Sequence, residues 1–411
     1  MNIIIKTLLL LIFPAVLYSQ EKPGEDWLED LKAYHQGLEQ NHIDLYNKIS
    51  EQDFKAELTK IEKSISEKND LGIIIDLMRL TRKIGDGHTA ISLRNMGFHN
   101  FPFEVQNFNG HWRVIKADKK FSELLGLKLI AIESENIESV VVKVGDVAQF
   151  VENEQSLTVR VGEYLCIGEL LYGLNITDDH IRAHFTFISD AGKKTNIQLT
   201  AISQQKYDET IFTEIEIGVS QIKKPENPTH DFLWYAPIQG TSGVYIQFRR
   251  YPQFDQMMKF GEELLAYLSK HNIQSLVIDM RKNGGGDLYT GLVLAYALNL
   301  ADPVDWKAGV FVLADKVTFS AATSNTGLFR ELLNAKVIGE PTGSNPNGYQ
   351  DMDTFELPNS KLLICYSKRL FRIQEIATSG IRPDVFLHYD WSSFSQGKDN
   401  MLDWVINKIK E

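Results

Sequence analysis

From residue 244 onward, short apolar runs of strand length alternate with segments of helical periodicity, and this alternation constrains the fold more than any other feature. The runs are 244–248, 275–280, 310–313 and 336–338. Between the first two, Met257, Phe260, Leu264 and Leu268 recur at the spacing of one helix face, behind Asp255 as a possible cap. Further helices are expected around 292–298 and over 321–333. Strands that alternate with helices need crossover connections and so build a largely parallel sheet with helices on its faces. Such sheets place their ligands at the carboxyl ends of the strands.

The preceding chain reads differently. Over 22–84, Trp27, Leu31, Tyr34 and Leu38 open a series of amphipathic helical patterns. Over 100–215, runs such as 112–115, 128–132 and 184–188 have the length and β-branched content of strands. The segment 221–237 holds three prolines and reads as a linker. A chain of 411 residues exceeds one compact core. The expected organisation is a leader at 1–19, a helical N-terminal region at 20–95, a small β-rich module at 100–215 and an α/β domain at 235–411.

Lys6 is the sole charge before Glu21, residues 8–13 are apolar, and Ser19 is a small residue at a plausible cleavage point. This pattern fits a secretory signal peptide, with an uncleaved anchor as the alternative. The mature protein is therefore expected to be exported, periplasmic or extracellular, with no membrane span after removal of the signal. A net charge of -11 argues against nucleic acid as a partner. Cys166 and Cys365 lie in no metal-binding spacing and read as two buried thiols.

Three unusual segments fall where chemistry is expected. At 278–286 a buried strand runs into Arg281, Asn283 and the glycines Gly284, Gly285 and Gly286. Such a turn can aim N–H groups into open space, as an oxyanion hole or a phosphate cradle, or can be a plain turn. At 318–322, Ser320 stands at a helix start. There it is either an N-cap or a nucleophile whose oxyanion would meet the Ala321 N–H and the positive helix end. At 85–89, glycines flank Asp86 and His88, which puts an imidazole on a turn at the end of a helix. His35 and His42, in the helical region, read as solvated. A fourth segment, 339–343, places Glu340 and Thr342 at another strand end.

Taken in order, 278–286, 318–322, 339–343 and the 379–384 segment Ser-Gly-Ile-Arg-Pro-Asp resemble the peptidase domain of the tail-specific (C-terminal processing) and tricorn-type serine peptidases, which include the retinoid-binding proteins of the photoreceptor matrix. Asp86-Gly-His88-Thr89 resembles the histidine segment of the tricorn-like branch. Residues 101–144 resemble the PDZ-like module that many members carry. The resemblance implies an α/β peptidase domain with a helical cap and a PDZ-like module. It also implies Ser320 as nucleophile, His88 as general base, and Gly285, Gly286 and Ala321 as the oxyanion hole, with no metal or cofactor. Asn345 stands about where the processing branch has its lysine base. Two departures are Thr323 in place of a glutamate and Ala377 in place of the acid that orients the base. Asp86 and Glu375 are alternative orienting acids, unranked. Arg281 either holds the glycine turn or binds a carboxylate, with the first favoured, and Thr342 has a supporting place.

The implied activity is hydrolysis of peptide bonds in a peptide or unfolded protein, with an extended substrate added as a strand to the β-rich module. The alternatives are a catalytically weak peptide- or lipid-binding protein on the same scaffold, and an esterase or amidase using the same serine.

Overall fold

The computed structural model describes residues 24–411, so the expected leader at 1–19 lies outside the described residues. Three helices, Gly24–Asn41, Glu51–Ser64 and Asp70–Ile84, open the fold. Their apolar stripes bury Trp27, Leu31, Tyr34, Phe54 and Leu77. Asn69 caps the third helix through the Gly72 N–H, and Gly85 ends it in the left-handed conformation with φ 75°. That stop throws the chain directly into the Asp86–His88 turn.

The 100–215 module is mixed rather than purely β. A five-strand path runs from Phe212–Glu214 through His111–Asp118, Lys128–Ile132 and Arg182–Ile188 to Lys194–Thr200, with Phe103–Phe108 added on the open side of His111–Asp118. Helices Ile137–Val147, Glu154–Tyr164 and Gly168–Gly173 are interposed. Glu154–Tyr164 packs against Phe103–Phe108 so closely that a Cβ on Gly162 would stand 3.0 Å from the Val105 carbonyl oxygen. Cys166 and Cys365 are both buried and unpaired.

The C-terminal region holds the expected sheet. Its order is Leu233–Ile238, Gly243–Phe248, Ser275–Asp279, Val310–Ala314, Lys336–Gly339 and Val385–Phe386. The pairs from Gly243–Phe248 onward are parallel, and the first strand, at the end of the proline-containing segment, is antiparallel. Helices Phe254–Lys270, Leu288–Asn299 and Ala321–Leu333 cover one face, and Asn400–Lys410 covers the other. Burial on both sides explains why Leu276–Ile278 and Val310–Ala314 are apolar throughout.

One element crosses the expected domain boundary. Strands Asn347–Glu356 and Leu363–Arg372 form an antiparallel hairpin outside the parallel sheet, and the second of them pairs with Ala90–Ser92, where Ala90 faces Cys365 and Ile91 faces Ile364. Leu357, Leu362, Ile364 and Tyr366 join the core of the N-terminal helices. The hairpin therefore bolts the strand after His88 to the α/β domain. No helix among the described residues is long and apolar enough to cross a membrane.

Candidate active site

The carboxyl ends of three adjacent parallel strands build one side of the site. After Ser275–Asp279 comes the Arg281–Gly286 turn, after Val310–Ala314 the loop to Ser320, and after Lys336–Gly339 the 340–345 turn. The loop to Ser320 is tied by side chains. Asp315 Oδ1 accepts the N–H groups of Lys282, Val317 and Thr318, and Thr318 Oγ1 donates to the Met280 carbonyl at 3.0 Å.

Ser320 precedes helix Ala321–Leu333 with φ 53° and ψ -128°, and its side chain makes no capping bond. A non-glycine residue in this region carries about 1–3 kcal/mol of strain and persists only when its surroundings over-determine it. They do so here. The Phe319 N–H donates to the Asn283 carbonyl at 2.9 Å, and the Ser320 N–H donates to Ser344 Oγ at 2.7 Å. Ser344 Oγ in turn donates to Thr323 Oγ1 at 2.9 Å. Thr323, a departure from the family pattern, thus anchors the serine that holds the Ser320 backbone.

Gly285 has φ 102°, and a Cβ there would lie 2.7 Å from Ser320 Cβ, so only glycine allows this approach. Its N–H is taken by Asn283 Oδ1 at 2.9 Å. On the residues next to Gly285 and Ser320, the N–H groups of Gly286 and Ala321 bond nothing among the described residues. Thr342 lies one turn away, accepting the Ile381 N–H at 2.8 Å and donating to the Ser344 carbonyl at 3.0 Å.

Arg281 does not face the site. It is buried, makes paired bonds to Asp399 at 2.9 and 2.7 Å, and reaches Asp279 at 2.9 and 2.8 Å. Arg249 and Tyr245 complete the cluster on Asp279. Burial alone would raise the Asp279 carboxyl, but Arg249 and Arg281 hold it far below the usual carboxylate range. The cluster ties the start of the glycine turn to Asp399, the cap of the final helix.

The other side comes from the N-terminal region. His88 Nε2 lies 2.9 Å from Ser320 Oγ, across 232 residues of sequence. Its ring packs 5.2 Å from the Phe319 ring. Burial pushes the imidazole pKa below its ordinary value. The nearby Asp86 charge, the Tyr349 carbonyl and Asp351 oppose this without reversing it. The ring is therefore neutral at neutral pH and can accept a proton at Nε2, which leaves the ring hydrogen on Nδ1. That Nδ1 is buried and completes no hydrogen bond.

Neither acid named from the sequence stands behind the ring. Asp86 Oδ1 accepts the His88 backbone N–H at 2.7 Å and the Ser367 hydroxyl at 2.8 Å, while Oδ2 takes Thr89 Oγ1 at 2.5 Å and His42 Nε2 at 2.7 Å. Burial would raise this carboxyl, yet the bonds from His42 and Thr89 lower it, so it stays ionised as the anchor of the turn. Glu375 is exposed and makes no hydrogen bond to His88. His42 is not solvated as the sequence reading had it. It is buried, with Nδ1 accepting the Asp44 N–H at 2.9 Å, which leaves Nε2 to donate to Asp86. An isolated histidine at a helix end carries no sequence signal for this. Ser344, Ser367 and Glu152 also escaped the sequence reading, and of these only Glu152 has a local flag, since it precedes the Asn153–Ser156 capping box.

Residues 245–387 match the model of peptidase family S41. No curated protein matches the sequence. Among solved structures, mature CPAF complexed with lactacystin aligns with a TM-score of 0.66 at 10% identity, over 94% of this chain and 98% of that one. The photosystem II D1 C-terminal processing protease aligns with a TM-score of 0.41 at 13% identity, over 88% and 93%. Tricorn protease gives 0.35 at 12% identity, over 93% of this chain and 37% of that one. At this identity the CPAF likeness is one of fold, and it extends over nearly the whole of both chains.

Proposed function

We propose that this chain, a serine peptidase of family S41 through residues 245–387, cleaves peptide bonds through an acyl-enzyme on Ser320 with His88 as general base. The observation that supports this most is the 2.9 Å approach of a neutral, buried imidazole to a strained serine hydroxyl. His88 Nε2 takes the Ser320 proton as Oγ attacks the substrate carbonyl carbon. The carbonyl oxygen becomes an oxyanion between the Gly286 and Ala321 N–H groups, at the positive end of helix Ala321–Leu333. Each such donor contributes about 3–4 kcal/mol to the transition state in comparable sites. His88 then gives its proton to the leaving amine, and water repeats the sequence on the ester.

A cavity of about 430 Å³ runs between Phe103–Phe108, helix Glu154–Tyr164 and the Asp315–Val317 loop. It suits a segment of peptide or unfolded protein on its way to Ser320, with the 100–215 module read as PDZ-like. We read residues 1–19 as the export signal and place the mature protein in the periplasm or outside the cell. Its N-terminal sequence after secretion tests that placement.

One observation favours a second reading. The unpartnered Nδ1 of His88 means that no acid is hydrogen-bonded to the ring among the described residues, as in a weak enzyme or a binding protein on this scaffold. A fluorophosphonate probe separates the two. Labelling of the wild type but not of Ser320→Ala, with peptide hydrolysis reduced at least about a thousandfold in that variant, is the expected result. An unlabelled, properly folded wild type favours the binding protein.

A further inference from the structure

Glu152 lies outside the Ser320–His88 pair, yet three segments that build the pair converge on it. On the first, a Cβ at Gly87, the neighbour of His88, would stand 2.8 Å from Glu152 Cβ and 3.2 Å from its Oε2. On the second, Oε2 accepts the Asn345 N–H at 3.2 Å, next to the Ser344 that holds the Ser320 backbone. On the third, a Cβ at Gly348 would stand 2.5 Å from Oε1, next to the Tyr349 whose carbonyl faces the His88 ring. Asn153 extends the contact, donating from Nδ2 to the Thr342 carbonyl at 3.1 Å and to Asn345 Oδ1 at 3.2 Å. Glycine at 87 and 348 leaves the space that this carboxyl fills.

Among the described residues no cation bonds Glu152. Charged or titratable groups on the elements around it include Asp86 and His88 on the turn, Glu154, Arg160, Glu163 and Tyr164 on the helix that follows it, and Tyr349, Asp351, Asp353, Lys368, Arg369 and Arg372 on the hairpin, and of these Asp86 is the charge that acts on its carboxyl. Arg160 is paired with Glu163 at 2.7 Å. A partly buried carboxyl with Asp86 as its charged neighbour and no compensating cation is favoured in its neutral form.

We infer that Glu152 is a positioning residue for Ser320 and His88, a carboxyl group that clamps the His88 turn to the 344–349 segment. This rests on the hydrolytic reading above. Burial, with the Asp86 charge beside it, pushes the Glu152 carboxyl up to about 8, so it is protonated at neutral pH. Above that pH its charge repels Asp86, which anchors the His88 backbone, and the clamp loosens. His88 and Tyr349 do not titrate in this window, the first because its pKa is lowered and the second because it is pushed up to about 12.

The test is the rate of fluorophosphonate labelling of Ser320, with kcat and KM for a peptide, from pH 6 to pH 9.5 in wild type, Glu152→Gln and Glu152→Ala. The wild-type rate should fall about tenfold by pH 9, as a group titrating near 8 requires. Glu152→Gln should match the wild type at pH 7 and lose that alkaline fall. Glu152→Ala should lower kcat about tenfold at pH 7 with KM within about twofold. An alkaline fall unchanged in Glu152→Gln overturns the inference, whether or not the alanine variant folds. Labelling indifferent to Glu152 sinks this inference alone, whereas no labelling of the wild type sinks the hydrolytic reading and this one with it.

Discussion

The two sides of the site are built in opposite ways. Ser320 is held by groups within one region, 279–344, at the ends of neighbouring strands of a sheet buried on both faces. His88 is held by groups scattered over the whole chain. Its turn is anchored through Asp86 to His42 and Ser367, and the strand after it pairs with the 347–372 hairpin. Ser320, the proposed nucleophile, is thus preorganised by local topology, whereas His88, the proposed base, is delivered by the docking of one hydrophobic core on another. The proposed hydrolysis on Ser320 therefore depends on that docking as much as on the motif around the serine.

The largest expected effect tests the nucleophile side. Arg281→Met removes the cation between Asp279 and Asp399, which leaves buried Asp399 without an ion pair and Asp279 with Arg249 alone. It should cost about 3–5 kcal/mol of stability in denaturant unfolding, because breaking a buried pair on one side exposes the full desolvation cost of the other. Asp86→Ala tests the base side. It leaves donors on His42, Thr89, Ser367 and the His88 backbone without an acceptor, for about 1–3 kcal/mol, and should lower kcat far more than it raises KM. If Asp86→Ala spares kcat while Arg281→Met abolishes it, the contrast between the two sides is wrong.

A smaller effect is the acid limb of kcat/KM. The folded pKa of His88 is lowered, so the rate should rise with pH through a midpoint below 6.5. The same shift acts on stability. Below pH 6.5 the unfolded chain takes up a proton that the folded site resists, so this contribution to stability declines as pH falls through that window. An acid limb with its midpoint at or above 6.5 would contradict a buried, neutral imidazole. Smallest of all, Glu375→Ala should change kcat/KM less than about twofold, since that side chain is exposed and makes no hydrogen bond to the ring. A large loss there would restore it as the orienting acid.

Most of the nucleophile side was legible in the sequence because its parts are local. A continuous apolar strand, the Arg281–Gly286 turn and a serine at a helix start each keep their meaning within about ten residues. The identity of the open amide donors was not legible, since only the side-chain orientation of Asn283 shows that the Gly285 N–H is already engaged. On the base side the Asp86–His88 turn was visible, but its partners at 42 and 367 were not. His42 looked like a surface histidine on a helix end, and Ser367 lay in a segment assigned to the other domain. The 347–372 hairpin escaped for the same reason. Alternation of residues predicts a strand but not which sheet it joins.

The sequence by itself determined a parallel α/β domain, a serine at a strand-to-helix junction and a glycine turn beside it, because hydrophobic period and backbone permissiveness are properties of short segments. Only the tertiary structure decided that a histidine from the N-terminal region meets that serine, that Asp86 holds its backbone rather than its ring, and that Glu152 is wedged between the segments carrying both. Those outcomes depend on contacts between residues hundreds of positions apart, where burial and mutual desolvation, and not local propensity, set the geometry and the charge.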